Sequence, residues 1–398
     1  MGAIDLKHSS SRVGTLVIVI LCLLSATLVP SVNRVLNHQT SMMFGFIDAL
    51  GGDYLTFYTA SRMAIGDEGA DVYDRKISHS AQIKTEPRAV FERPWFYPPT
   101  TFFLTAPFAL LPSYLLSYWV WTLAGVAAFA ASMRANGVSV WLTALLVCSF
   151  TGIVTLATGQ MSWFILALFC FGLAALRTGR QRLAGVMFGL VVIKATLGLV
   201  IPVAVIAARQ WRTFWASALT VFATLAASCL WPGLSVWRAF IGNLQMTFRH
   251  VMGKTDITAI NLSNFSPMGF FKCHIANDTV CVLLQLAITT GVAAVVWRAW
   301  RRHGATARTG SVLLSGTALA SPYFMHYEIV MLIGAALLLT TEKPVRSGAW
   351  LAVLAAGIAA YVHILSFNLN TQLVWLISAG TFLYAAWPLV QTSEKAPI

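Results

Sequence analysis

The chain has 398 residues, 58% of them hydrophobic and only 10% charged, with a mean hydropathy of +0.72. So few polar groups exclude an ordinary water-soluble globule, because no wetted surface can be assembled from them. A net charge of +13 does not mark a nucleic-acid binder either: Lys and Arg sit mostly in short breaks between apolar runs, without a soluble basic domain or interleaved stacking aromatics.

The apolar runs are long and do not alternate, which predicts an all-α polytopic membrane protein and not a barrel. Lys7 and Arg12 precede an apolar run that resembles a signal peptide, but no small-residue cleavage site follows, so residues 14–31 read as an uncleaved first span. With those cations inside, residues 33–97 form a long outer loop. Residues 98–111, with Pro107, predict a short segment dipping into the outer half, and 113–133 a crossing that delivers Arg134 inside. Residues 139–155 then cross outward, and 160–176 return to the cluster Arg177, Arg180 and Arg182.

Residues 183–208 are about one span long yet have basic clusters at both ends, so they predict a re-entrant segment with Lys194 near its turn. After a span at 213–231, a second outer loop covers 232–277. Within it Val236, Trp237, Phe240, Ile241, Leu244 and Phe248 recur at helical spacing, as an interfacial helix requires. Residues 278–297 return, and 309–390 give four shorter runs. The sum is a single membrane domain over 1–398 with about 10–12 crossings. Four cysteines lie in apolar runs; the spacing of Cys273 and Cys281 allows a disulfide.

Seven of the 14 carboxylates lie within residues 53–99. Asp53, after Gly51-Gly52 and before an aromatic, sparsely charged segment, suits a general base; the alternative is that it caps the helix over 54–64. Asp67, Glu68, Asp71 and Asp74 read as solvated loop charges. Residues 321–328, Ser-Pro-Tyr-Phe-Met-His-Tyr-Glu, form a second polar island after a helix too short to span, which places His326 and Glu328 at membrane depth. His363 reads as a packed or interfacial histidine. Lys194 is either functional at depth or snorkels to the interface. Arg62, Arg249, His250, Lys254 and Lys272 supply outer positive charge, for a substrate or for lipid phosphates. There is no P-loop, dinucleotide glycine fingerprint, His-Glu-x-x-His or zinc-spaced cysteine pair, so no cofactor and no metal are expected, and a transferase here needs a donor already tethered to lipid.

The pattern Asp53-x4-Tyr58 with Arg62, Tyr97-Pro98-Pro99, Gly159-Gln160, Gly185 to Lys194, and Ser321-Pro322 with His326-Tyr327 resembles glycosyltransferase family 87, of the GT-C superfamily. Met161 stands where that family often has a polar residue. The resemblance implies a GT-C-like membrane fold and transfer of a sugar, with mannose favoured, from a polyprenyl-phosphate carrier to a lipid or glycan acceptor. Transfer would take place at the inner membrane of the cell, on its periplasmic or exterior face. It implies Asp53 as catalytic base; the chemistry of the other residues adds His326 as a catalytic candidate and substrate contacts from Tyr58, Arg62, Gln160, Lys194, Arg249, His250 and Glu328. A transporter or flippase of lipid-linked sugars, or an inactive lipid-binding member, are the alternatives.

Overall fold

The computed structural model describes residues 2–30, 50–252 and 261–391. Among them the regular structure is helical, with a single β-bridge between Asn264 and Met325. The helices in order are α1 (Gly2–Ala26), α2 (Gly52–Ile65), α3 (Arg75–Thr85), α4 (Phe102–Ala109), α5 (Tyr114–Ala135), α6 (Val140–Val147), α7 (Phe150–Thr158), α8 (Ser162–Arg177) and α9 (Gln181–Leu190). There follow α10 (Ile201–Ala207), α11 (Trp211–Ser228), α12 (Leu234–Met252), α13 (Pro267–His274), α14 (Asp278–His303), α15 (Ala307–Ala320), α16 (Val330–Leu339), α17 (Ser347–Asn368) and α18 (Trp375–Gln391).

Four elements are long and apolar enough to cross a membrane, namely α5, the tract Trp211–Gln245, α14 and α17, and the bent pair α6 and α7 makes a fifth. The protein is therefore multi-pass, with fewer full-length helices than the 10–12 crossings expected. The apolar runs are cut by local backbone features. Ser149 is extended (φ −68°, ψ 163°), so the run expected as one crossing over 139–155 becomes two helices bent by 64°. Lys194 takes non-helical angles (φ −135°, ψ 68°) in the 3₁₀ stretch Val191–Leu197, which divides the predicted re-entrant segment into α9 and α10. Trp231 (φ −146°, ψ 128°) and Pro232 interrupt the ladder between α11 and α12.

The core is centred on α15 and α16, in which every residue is buried. A helix apolar on all sides belongs inside a bundle, and α8, α14, α17 and α18 surround this pair. The helix expected at the interface, α12, instead turns Val236 onto Gly69 and the Phe240 ring onto Tyr73 (5.9 Å), while Ile241 and Leu244 stay exposed. The side chains of Phe248, Arg249 and His250 lie outside the described residues, as does the first outer loop over 31–49. Cys273 and Cys281 are free thiols.

Two glycines bring the parts of the site together. Gly51, immediately before α2, and Gly159, immediately after α7, both have left-handed backbone (φ 64° and 68°). The Gly51 amide donates to the Ala157 carbonyl at 2.9 Å. From α5, Tyr114 donates to the Gly51 carbonyl, Tyr118 to that of Leu156 and Trp121 to that of Gly159, each at 2.8 Å. A Cβ on Gly159 would stand 2.6 Å from the Tyr54 Cβ. Gly159→Ala is therefore expected to lower stability by about 2–4 kcal/mol, combining backbone strain with this clash. Gly137→Ala, at φ 82° with nothing within 4 Å, should cost only the strain, about 1–2 kcal/mol. Thermal unfolding in detergent, followed by tryptophan fluorescence, compares the two; equal losses would mean that the close approach contributes nothing.

Candidate active site

Asp53 lies in the first turn of α2, and the position before the helix is Gly51, which offers no side-chain cap. The carboxylate is thus not a helix cap. It remains near the positive end of the helix dipole, and its Oδ2 accepts from Gln160 Nε2 at 2.9 Å. Gln160 is buried, and its Oε1 accepts from the Tyr97 hydroxyl at 3.3 Å. Tyr97 is placed by Tyr73, whose hydroxyl donates to the Tyr97 carbonyl at 2.8 Å. Burial, reinforced by the negative charge of Asp53, raises the Tyr97 phenol above its ordinary range and keeps it a donor. The side chain of Asp53 is half-buried, and among the described residues nothing donates to its second oxygen.

The broken helix at Lys194 meets the polar island. Lys194 Nζ lies 2.7 Å from Glu328 Oε1, close enough for an ion pair though not aligned as a hydrogen bond, and both side chains are buried. The ammonium also stands over the rings of Tyr327 (4.8 Å) and Tyr97 (5.5 Å). Glu328 Oε2 accepts from the Met325 amide at 2.6 Å, so the carboxylate fixes the loop before α16 as well as Lys194. The phenols of Tyr97, Tyr323 and Tyr327 interact electrostatically with one another and with Glu328. The charge of Asp53 reaches Tyr97, His326 and Tyr327. The His326 ring is parallel to that of His363 (5.8 Å, 5°), and Phe265 meets the edge of both. Each histidine has a buried Nδ1 without a hydrogen-bond partner.

Asp53, Gln160, Lys194, His326 and Glu328, all expected from the sequence, therefore share one polar cluster. Glu328 is fully buried with both oxygens engaged, so in this state it holds Lys194 and does not face a substrate. Tyr58 is a core aromatic, 5.6 Å from Tyr114 and covered by Arg62. Arg62 belongs to the far end of α2 and donates to the Ala109 carbonyl. Arg249 and His250 have no described side chains. Three members have no site role in the sequence reading: Tyr97 and Tyr327, which enter it only within the family pattern, and His363, read as packed or interfacial. The tyrosines Tyr323 and Tyr327 flanking His326 are the available signal in the second island.

A multi-pass helical protein with a carboxylate, a paired lysine and a histidine gathered between a loop and two broken helices has the makings of a membrane-embedded transferase. Residues 95–322, more than half of the chain, match glycosyltransferase family 87, and the chain belongs to that family. It is a membrane glycosyltransferase, with donor and acceptor substrates met in the membrane. The matched region contains Tyr97, Gln160 and Lys194; Asp53 precedes it and His326 and Glu328 follow it. No curated protein and no solved structure shows significant similarity to the chain.

The buried ion pair gives a direct test. Lys194→Met or Glu328→Gln alone leaves an uncompensated buried charge and should destabilise by about 3–5 kcal/mol. The double variant should lose at least about 1 kcal/mol less than the sum of the two. Denaturant or thermal unfolding of the four proteins measures this coupling, and additive losses would show that the two groups do not pair.

Proposed function

We propose that the protein transfers a sugar, mannose by preference, from a polyprenyl-phosphate carrier to a hydroxyl of a lipid or glycan acceptor, with Asp53 as general base. The reaction belongs on the periplasmic or exterior face of the inner membrane. The observation that carries this reading is the Asp53 carboxylate, held through one oxygen by Gln160 while the other is free to accept, in a cluster that also contains a cation and a histidine.

In this scheme the acceptor O–H gives its proton to the free oxygen of Asp53 as its oxygen forms a bond to C1 of the sugar. The bond from C1 to the phosphate oxygen breaks on the opposite side, with inversion, and the electron pair leaves with polyprenyl phosphate. A base must lie within hydrogen-bond reach of the proton it takes, and Gln160 restricts Asp53 to one orientation for that purpose. The leaving phosphate gains charge, which Lys194 and His326 would stabilise from a site shielded from water. Lys194 is paired with Glu328 before substrate binds, so an incoming phosphate competes for, or adds to, an ammonium already held in place.

Transfer of radiolabelled mannose from purified polyprenyl-phosphate mannose to a lipid extract tests the reading. Asp53→Asn should lower product formation by about 10²–10⁴-fold while leaving the thermal midpoint close to that of the parent. Gln160→Ala should reduce kcat by about tenfold with a smaller change in KM, because it releases the base and not the substrate. Full activity in Asp53→Asn would remove Asp53 from the chemistry.

A further inference from the structure

An open cleft with a cationic lining lies at the other end of α2. It has a volume of about 540 Å³ and lies between the C-terminal half of α2 and the length of α3. That is within the range of small-ligand sites. On α3, Lys76, Ser80 and Lys84 recur every four residues and form one stripe facing the cavity; on α2, Thr59 and Arg62 face them. Three cations stand against one carboxylate, Glu68. Arg62 lies nine residues from Asp53 along the helix, roughly 13 Å at 1.5 Å per residue, so the cleft and the proposed catalytic cluster share no residue.

The geometry of Arg62 indicates a built site. Its guanidinium is fixed by a hydrogen bond from Nη1 to the Ala109 carbonyl (3.2 Å) and by its position over the Tyr58 ring (5.8 Å). A guanidinium carries five N–H donors, and among the described residues no other acceptor meets this one. Lys76 and Lys84 likewise make no described ion pair, although four acidic residues lie in the same loop before residue 75. An anchored fork with open donors, facing two unpaired ammonium groups and flanking hydroxyls, matches the oxygens of a phosphate.

We propose that the cleft between α2 and α3 binds a phosphate group, of a membrane lipid or of a free phosphate compound, independently of the sugar donor. The site does not rest on the transfer mechanism, since no residue is common to both.

The full-length protein in detergent is titrated separately with inorganic phosphate, short-chain phosphatidylglycerol and short-chain phosphatidylcholine, with calorimetric heat and thermal midpoint reporting binding. Saturable binding of phosphate or phosphatidylglycerol is expected, weakened at least about tenfold in Lys76→Gln/Lys84→Gln and regained in Lys76→Arg/Lys84→Arg. Both lysines are exposed, so neither pair of changes disturbs the core. Binding of phosphatidylglycerol alone identifies a lipid headgroup, and binding of inorganic phosphate as well identifies a site open to free phosphate. The proposal is overturned if neither anion binds, if the Gln variant binds like the parent, or if phosphatidylcholine, whose choline cancels the phosphate charge, binds equally well.

Discussion

The close approach of two left-handed glycines governs the site. Gly51 directly precedes α2 and Gly159 directly follows α7, and the amide of the first bonds to the carbonyl of Ala157, two residues before the second. Each is followed by a polar residue that the contact brings together: Asp53 two positions after Gly51, and Gln160 one position after Gly159. Three aromatic side chains of α5 clamp the carbonyls around this crossing. The Gly51 and Leu156 carbonyls also accept from the Leu55 and Gly159 amides, so the aromatic donors add a second bond at those two positions and supply the one to Gly159. The Asp53–Gln160 bond is thus a consequence of backbone geometry fixed by α5, and its orientation is set before any ligand arrives.

The second fixed point is the Lys194–Glu328 pair. Burying two charges costs several kcal/mol apiece, and their mutual attraction repays that only with good geometry and further hydrogen bonds. Glu328 has such a bond from the Met325 amide, and Lys194 has two tyrosine faces. The pair ties a break in the α9–α10 segment to the loop ahead of α16. Neither segment is regular there, and irregular backbone at membrane depth persists only where protein or a wet cavity surrounds it. The ion pair therefore joins these two irregular segments and holds the Lys194 ammonium over the Tyr97 and Tyr327 rings.

Much of this was legible in the sequence, for physical reasons that differ by element. Basic residues on both sides of one apolar run marked 183–208 as something other than a simple crossing, and the helix does break at Lys194. A run too short to span marked the Ser321–Glu328 island, since hydrophobic length is a one-dimensional quantity. Kinks were not legible: Ser149 bends its helix through an extended backbone, and nothing in an apolar run containing one serine distinguishes that from a serine pointing its hydroxyl back along the helix. Pairings across long separations were also hidden. Asp53 with Gln160, and Lys194 with Glu328, require the packing of elements more than 100 residues apart. Arg62 stands apart from Asp53 because a helix separates by its own length residues that are close in sequence.

The two clefts together account for the composition of the first loop. Carboxylates crowd residues 53–92, yet only Asp53 enters the proposed catalytic cluster, and Asp74 and Glu92 are engaged in a helix cap and an ion pair with Arg75. With Asp74, Glu86 and Glu92 engaged in local structure, Glu68 is the carboxylate that lines the α2–α3 cavity beside its three cations. One helix, α2, then presents a carboxylate to the first cluster at its start and a guanidinium to the second cavity near its end. This polarity agrees with the helix dipole at both ends, negative charge at the N-terminus and positive at the C-terminus. A single short helix thereby holds Asp53 and Arg62 a rigid distance apart, the first in the proposed catalytic cluster and the second in the proposed phosphate site.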